Sequence, residues 1–356
     1  MKQAYEIIKK QLEKVRFEEI WPGFHQEPFA LYDETSACID GKIIPKPENF
    51  KGNTATEYEG RGIAIWKMSS EEYKLPPERM AANLVHEMFH VYQAECNEQR
   101  YPNDLMMLRY PDNTENFTFK HQENQLLAAA YRQKDCEKAK NLLSQFCDLR
   151  KYRNELIGVF TEIEGKVETL EGLAEYAGMC ALKMLAPQSA EMRIEEYLNL
   201  LENLSPLLFD VRRISYFVGT VLALTAKNAG ISAEHLLGQE SRRLYQIITD
   251  KLSSASAVVT PTAKDKEDVK TMLSLQIAEK EKRISDFFAA TRTRVQGEYI
   301  ICGYDPMNMI SMEDKILGTH FLMLYDEKAK QMITLEKECL LQVKEGTPNR
   351  ITAYWT

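Results

Sequence analysis

Two histidines four residues apart, with a glutamate between them, carry the most chemistry of any segment in this 356-residue chain: Leu84-Val85-His86-Glu87-Met88-Phe89-His90. Four residues are about one helical turn, so on a helix both imidazoles face the same way and aim at one point. Imidazole nitrogens are ordinary zinc ligands at roughly 2.0–2.1 Å. Glu87 stands beside that face, where a carboxylate can reach a metal-bound water without binding the metal itself. At about 100° per residue, Ala81, Val85, Met88, Phe89 and Tyr92 gather on one side of the helix. Asn83, His86, Glu87, His90 and Gln93 fall on the other. The motif thus respects an amphipathic division, although an ordinary solvated helix face is the competing account.

A catalytic zinc usually has three protein ligands and keeps one position for water. The third is sought in Glu168-Thr169-Leu170-Glu171-Gly172-Leu173-Ala174-Glu175-Tyr176-Ala177-Gly178. Helical projection puts Glu168, Glu171, Glu175 and Gly178 on one face, opposite Leu173, Tyr176, Ala177 and Cys180. Carboxylates crowded on one face repel one another unless a positive charge stands before them, and a zinc ion supplies one. A charged, solvent-exposed helix is the alternative.

The two segments together resemble the gluzincins, the group that includes thermolysin and the aminopeptidase-N-like enzymes, in which a second helix of the form E-G-x-A-x-Y donates a glutamate to the metal. The resemblance implies that Glu171 joins His86 and His90 as a ligand. It also implies that Glu175, one turn on, hydrogen-bonds a metal-binding histidine and so fixes its tautomer. Glu168 is open between a place behind the ligands, a place facing substrate and plain solvation. The aminopeptidase-N-like members share a downstream Tyr-x-x-Gly whose tyrosine steadies the oxyanion of amide hydrolysis. Tyr216 and Gly219 stand in that relation, which a core tyrosine explains equally well. Arg212 and Arg213 either hold a substrate carboxylate or cap a surface. His320 is an alternative donor of the thermolysin sort, though its strand setting favours a packed histidine. His25, His121 and His235 have no recognisable partner and read as structural or exposed.

The likeness covers well under half of the chain. Eighty residues separate His90 from Glu171, and no G-x-M-E-N segment for gripping a substrate amine is present, which weighs against aminopeptidase action. Glu123, Arg132, Arg150 and Arg153 in the intervening helices either line the cleft or lie on solvated faces. The alternating residues 63–67 are read as the cleft's edge strand, where an extended peptide would pair by β-addition.

The elements that must position these groups are mainly helical. The patterns predict helices over residues 3–19, 76–96, 121–133, 136–153, 163–185, 190–204, 211–228 and 233–252, with a strand over 61–68 and a loop-rich stretch before it. A Ser/Ala-rich stretch at 253–262 reads as a linker into a charged helix ending near 293. Residues 298–303, 319–325, 331–334 and 340–344 read as short strands. The expected class is α+β, predominantly helical: a zincin-like catalytic domain over 1–252, a linker and charged helix over 253–295, and a small β-rich unit over 296–356.

Composition sets the outer bounds. Apolar and charged fractions of 44% and 28% are those of a globular chain. The net charge of −8, with both signs mixed along the sequence, argues against a nucleic-acid partner. The amphipathic start lacks the apolar core of a signal peptide, no membrane-length apolar run occurs, and a cytoplasmic location is expected. Seven scattered cysteines without a CxxC pair argue against a disulfide framework and against a cysteine zinc knuckle. The expected activity is a zinc metallopeptidase on a peptide or protein substrate, with Glu87 as general base and Tyr216 as a supporting group. The alternatives are a catalytically silent binding or scaffold protein and a zinc hydrolase of a non-peptide amide or ester.

Overall fold

A computed structural model describes residues 1–232, 237–238, 240–253 and 260–356. His235, most of the expected linker and part of the expected helix over 233–252 lie outside the described residues. The class is α+β and predominantly helical. No helix of the described residues is long and apolar enough to cross a membrane.

The chain opens with α1 (Lys2–Leu12) and the short α2 (Phe17–Ile20), not the single helix expected over 3–19. The break lets Val15, Phe17, Ile20 and Trp21 all bury, more apolar surface than one helix face could present. The stretch read as loops is instead a five-stranded sheet. Its strands are β1 (Phe29–Tyr32), β2 (Ser36–Ile39), β3 (Lys42–Pro45), β4 (Thr54–Tyr58) and β5 (Arg61–Lys67), in the order β3-β2-β1-β5-β4. Only the β1/β5 pair is parallel. Two-residue turns join β2 to β3 and β4 to β5. Asp40-Gly41 and Glu59-Gly60 all take positive φ there, the hairpin geometry that suits strand twist. Side chains alternate across the sheet. Phe29, Leu31, Cys38 and Ala64 face the helices, while Ala30, Tyr32, Ala37, Ile39, Ile63 and Ile65 enclose Phe50 on the other face. The strand expected at 61–68 is present as β5 but is internal, flanked by β1 and β4. The sheet's edges are β3 and β4, and because β4 already pairs with residues 61–65, no peptide can pair at Ile63–Ile65.

The helical body consists of α3 (Pro77–Glu95), α4 (Asp104–Met107), α5 (Thr114–Arg132), α6 (Cys136–Ile157), α7 (Val159–Leu185), α8 (Pro187–Glu202), α9 (Val211–Asn228) and α10 (Leu244–Thr249). Pro77 opens α3 where no amide hydrogen bond is needed. Asn113, Asp135 and Asp210 cap α5, α6 and α9 by accepting from backbone N–H groups. Asn113 is the signal for α5's true start, seven residues before the expected one. The core of this body is aromatic around α3: Phe89 meets Trp21 and Phe24 edge-on at 5.6 and 5.1 Å. Full burial of such a side chain contributes about 1.5–3 kcal/mol.

A long helix, α11 (Ala263–Ala289), leads to a seven-stranded antiparallel sheet. Its strands are β6 (Arg294–Tyr304), β7 (Met309–Met312), β8 (Lys315–Gly318), β9 (Leu322–Asp326), β10 (Gln331–Leu335), β11 (Cys339–Lys344) and β12 (Thr347–Trp355), ordered β10-β9-β6-β12-β11-β8-β7. Four of these were expected, whereas β7, β8 and β12 were not. Ile284 and Phe287 of α11 pack on Leu317 and Leu340. Leu105 of α4 is buried with the sheet's other core residues, among them Tyr299, Leu322 and Leu341.

Candidate metal centre

The polar face of α3 is pressed against α7 and largely withdrawn from solvent, with Asn83 and His90 only partly buried. His86, Glu87 and Gln93 are buried, as are Glu168, Glu171 and Glu175 opposite them. Gly178 makes this approach possible, because a Cβ there would stand 2.8 Å from the Ala82 carbonyl oxygen of α3. On its other flank α7 meets α9 just as closely: a Cβ on Gly172 would lie 2.5 Å from the Gly219 Cα. The Gly219 of the Tyr-x-x-Gly segment is therefore a helix-packing glycine.

At this junction three acceptor atoms converge. His86 Nε2 and His90 Nε2 are 3.2 Å apart, and Glu171 Oε2 lies 3.1 Å from His90 Nε2 and 3.7 Å from His86 Nε2. His86, Glu87 and His90 also offer donor atoms within 4.8 Å of one another. The opposite ring nitrogens are already committed. His86 Nδ1 is 3.0 Å from Glu175 Oε2, and His90 Nδ1 is 2.7 Å from Gln93 Oε1. Gln93 cannot turn its amide round without losing the bond from its Nε2 to the Leu170 carbonyl at 2.9 Å. In their neutral form both imidazoles would therefore carry the proton on Nδ1 and present a lone pair at Nε2. Two lone pairs and a carboxylate oxygen facing one another need a positive charge between them. Donors bound tetrahedrally at 2.0–2.1 Å stand about 3.3–3.4 Å apart, and the three separations here average to that edge.

The electrostatics carry the same demand. Burial pulls the His86 imidazolium down, but hydrogen bonds to Glu171 and Glu175 outweigh it and raise the pKa to about 10. A proton or a metal ion would satisfy that demand equally. Burial pushes Glu171 up, but the His90 charge and hydrogen bonds from both imidazoles hold it well below the carboxylate range. Glu87 moves the other way: burial lifts it, and the two histidines only partly offset that.

A second tier fixes the carboxylates. Arg212 Nη2 donates to Glu171 Oε1 at 2.9 Å and also pairs with Asp104. Arg193 Nη2 lies 2.7 Å from Glu175 Oε1, which also accepts from the Tyr197 hydroxyl. Tyr216 stacks parallel to the His86 ring, with 6.0 Å between centroids and 7° between planes. Burial, then the Glu171 charge, keep its phenol protonated well above the usual range. Arg193, Tyr197 and Asp104 had no sequence signal, since their partners lie far along the chain. Gln93 had one: it is three residues beyond His90, the spacing at which helical side chains meet.

Several expectations fall. Arg212 is engaged by Glu171 and Asp104 and caps no surface, while Arg213 is exposed beside Asp210. Glu123, Arg150 and Arg153 line no cleft and meet no solvent. With Lys120, Glu164 and Glu168 they form a buried ion network joining α5, α6 and α7. Arg150 clamps Glu168 through both terminal nitrogens at 2.8 and 2.9 Å, which withdraws Glu168 from both substrate and solvent. Arg132 alone of that group is exposed, paired with Glu195 and Glu202. His320 is half-exposed and bound to Asp305 at 2.7 Å, not packed in a strand. His121 is buried beside Gln125, and exposed His25 lies 3.2 Å from Glu27.

A cavity of about 270 Å³ borders the second tier, lined by Asp104 and Arg212, by Phe117 and Phe209, and by Met307 and Ile310 next to the C-terminal sheet. Against known proteins the chain has no significant match: no family model, no curated protein and no solved structure.

Proposed function

We propose that the chain is a zinc-dependent peptide hydrolase whose metal is held by His86, His90 and Glu171. The observation that supports this most is the convergence of two Nε2 lone pairs and Glu171 Oε2 at 3.1–3.7 Å, with each Nδ1 tied off elsewhere. Two imidazoles and one carboxylate are the donor set of a catalytic site with an open position, not of a closed structural one. Zinc bound there would supply Lewis acidity, acidifying a water and polarising a carbonyl.

The residues divide the remaining work. Glu87 takes a proton from the attacking water and delivers it to the leaving amine, a task for which burial has raised its basicity. Glu175 orients His86, and Gln93 orients His90. Tyr216, protonated beside His86, offers its hydroxyl to the oxygen on which negative charge gathers. The likeness to the gluzincins rests on these same residues.

Metal analysis combined with a peptide-library digest of wild type and Glu87→Gln tests the proposal. Stoichiometric zinc in both, with cleavage by wild type alone, is the expected result. Bound zinc with no cleavage by either protein would instead indicate a silent scaffold, and turnover of esters or non-peptide amides alone would replace the substrate class.

A further inference from the structure

A second group of metal-binding residues lies at the far end of α3. His25, Glu27 and Glu95 offer one nitrogen and two carboxylate oxygens, all within 4.8 Å of one another. Glu95 closes the last turn of α3. His25 and Glu27 belong to the segment that runs from α2 into β1.

Three observations point to a ligand. First, Glu27 is only 4% exposed, and its Oε1 is fully covered without a hydrogen-bond partner. A buried carboxylate oxygen in that state is costly unless something cationic meets it. Second, that oxygen faces His25 Nε2 at 3.2 Å, yet the contact is not a hydrogen bond. His25 Nδ1 lies 3.3 Å from the Gly23 carbonyl, which can only accept. Nδ1 therefore holds the proton of the neutral ring and Nε2 presents a lone pair. This repeats the arrangement at His86 and His90: a tautomer set by one ring nitrogen, and the other aimed at a carboxylate across about one tetrahedral edge. Third, the charges do not cancel. Helix C-termini favour cations, but the last turn of α3 carries no basic residue.

We propose that His25, Glu27 and Glu95 form a second divalent-cation site that staples the segment between α2 and β1 to the C-terminal end of α3. One imidazole with two carboxylates suits a borderline cation such as zinc. The segment is already anchored to α3 by the Tyr92 hydroxyl, which donates to the Pro22 carbonyl at 2.8 Å. The cation adds a link between this segment and the helix that carries His86 and His90. It is held apart from those residues and does not depend on the chain being a hydrolase.

Zinc titration of the full-length, metal-stripped protein by calorimetry, with bound metal counted by mass spectrometry after desalting, tests this. Wild type is expected to bind two ions. His25→Ala and Glu95→Gln, both at exposed positions, are each expected to bind one. The double variant His86→Ala/His90→Ala is expected to keep one ion and to lose it when His25→Ala is added. In that double variant, zinc should raise the melting temperature in a His25-dependent way. Unchanged stoichiometry in His25→Ala and Glu95→Gln overturns the site, as does a wild type whose zinc is lost entirely with His86 and His90, or one that binds none. A wild type that binds a single ion, lost in His25→Ala and Glu95→Gln but kept in His86→Ala/His90→Ala, leaves this site standing and overturns the catalytic proposal instead.

Discussion

Arg212 donates to Glu171 Oε1 while Oε2 of the same carboxylate faces His90. One oxygen is thereby held back and the other offered, which would favour a single bond from Glu171 to the proposed metal. Arg212→Met keeps the length of the side chain and removes the clamp. Zinc affinity is expected to fall by about 10–100-fold, the usual loss when a ligand's supporting partner is removed. Competition with a chromogenic chelator measures it, and an unchanged affinity would mean that the clamp positions nothing.

Tyr216 is a test of chemistry against packing. Tyr216→Phe preserves the ring stacked on His86 and deletes only the hydroxyl. If that group meets the developing oxyanion, kcat falls by roughly 10²–10³-fold while zinc content and melting temperature hold. A drop in stability with kcat retained would make it a core tyrosine.

Gly219 sets two helical effects against each other. Alanine is the better helix former by about 0.5–1 kcal/mol. Its Cβ, however, would stand 2.0 Å from the Glu168 carbonyl oxygen and 2.8 Å from the Gly172 Cα. Both obstacles are backbone, so α9 and α7 must part, at a cost of about 1–3 kcal/mol. Gly219→Ala is therefore expected to destabilise in urea unfolding. A net gain in stability would show that the contact yields easily.

Acid should act through the buried network. Burial works against the Glu164 carboxylate, but the charges of Arg153, Lys120 and Arg150 hold its pKa well below the ordinary value. Its stabilising contribution is present in full above the unfolded pKa of about 4.3 and is lost as pH falls from there toward the folded one. The gap in unfolding free energy between wild type and Glu164→Gln should therefore narrow below about pH 4.5. A gap that is constant from pH 7 to pH 3 would contradict this.

How much of this could be read from the residues differs from region to region. The helix over Pro77–Glu95 was legible because a proline, an apolar stripe and the His-Glu-x-x-His spacing agree within one element. α9 was legible for similar reasons, since Asp210 caps it and its apolar period is regular. The N-terminal sheet was missed although Asp40-Gly41 is a strong hairpin signal. Its strands are only four or five residues long apart from β5, too short for alternation to stand out. The ion network was misread because charge alone does not distinguish a solvated face from one paired across three helices. Glu171 was found through its own segment, but nothing near it announced Arg212, whose partner is forty-one positions away.

Asp104 and Leu105 are neighbours with different allegiances: one pairs with Arg212 behind Glu171, the other is sunk in the core of the C-terminal sheet. Cutting the chain ahead of that sheet would uncover Leu105 and loosen the short helix on which Asp104 is mounted. An excised N-terminal fragment would then carry His86, His90 and Glu171, the proposed ligands, yet lack the brace behind one of them, so trimming the sheet away is a poor route to a minimal working version of this protein.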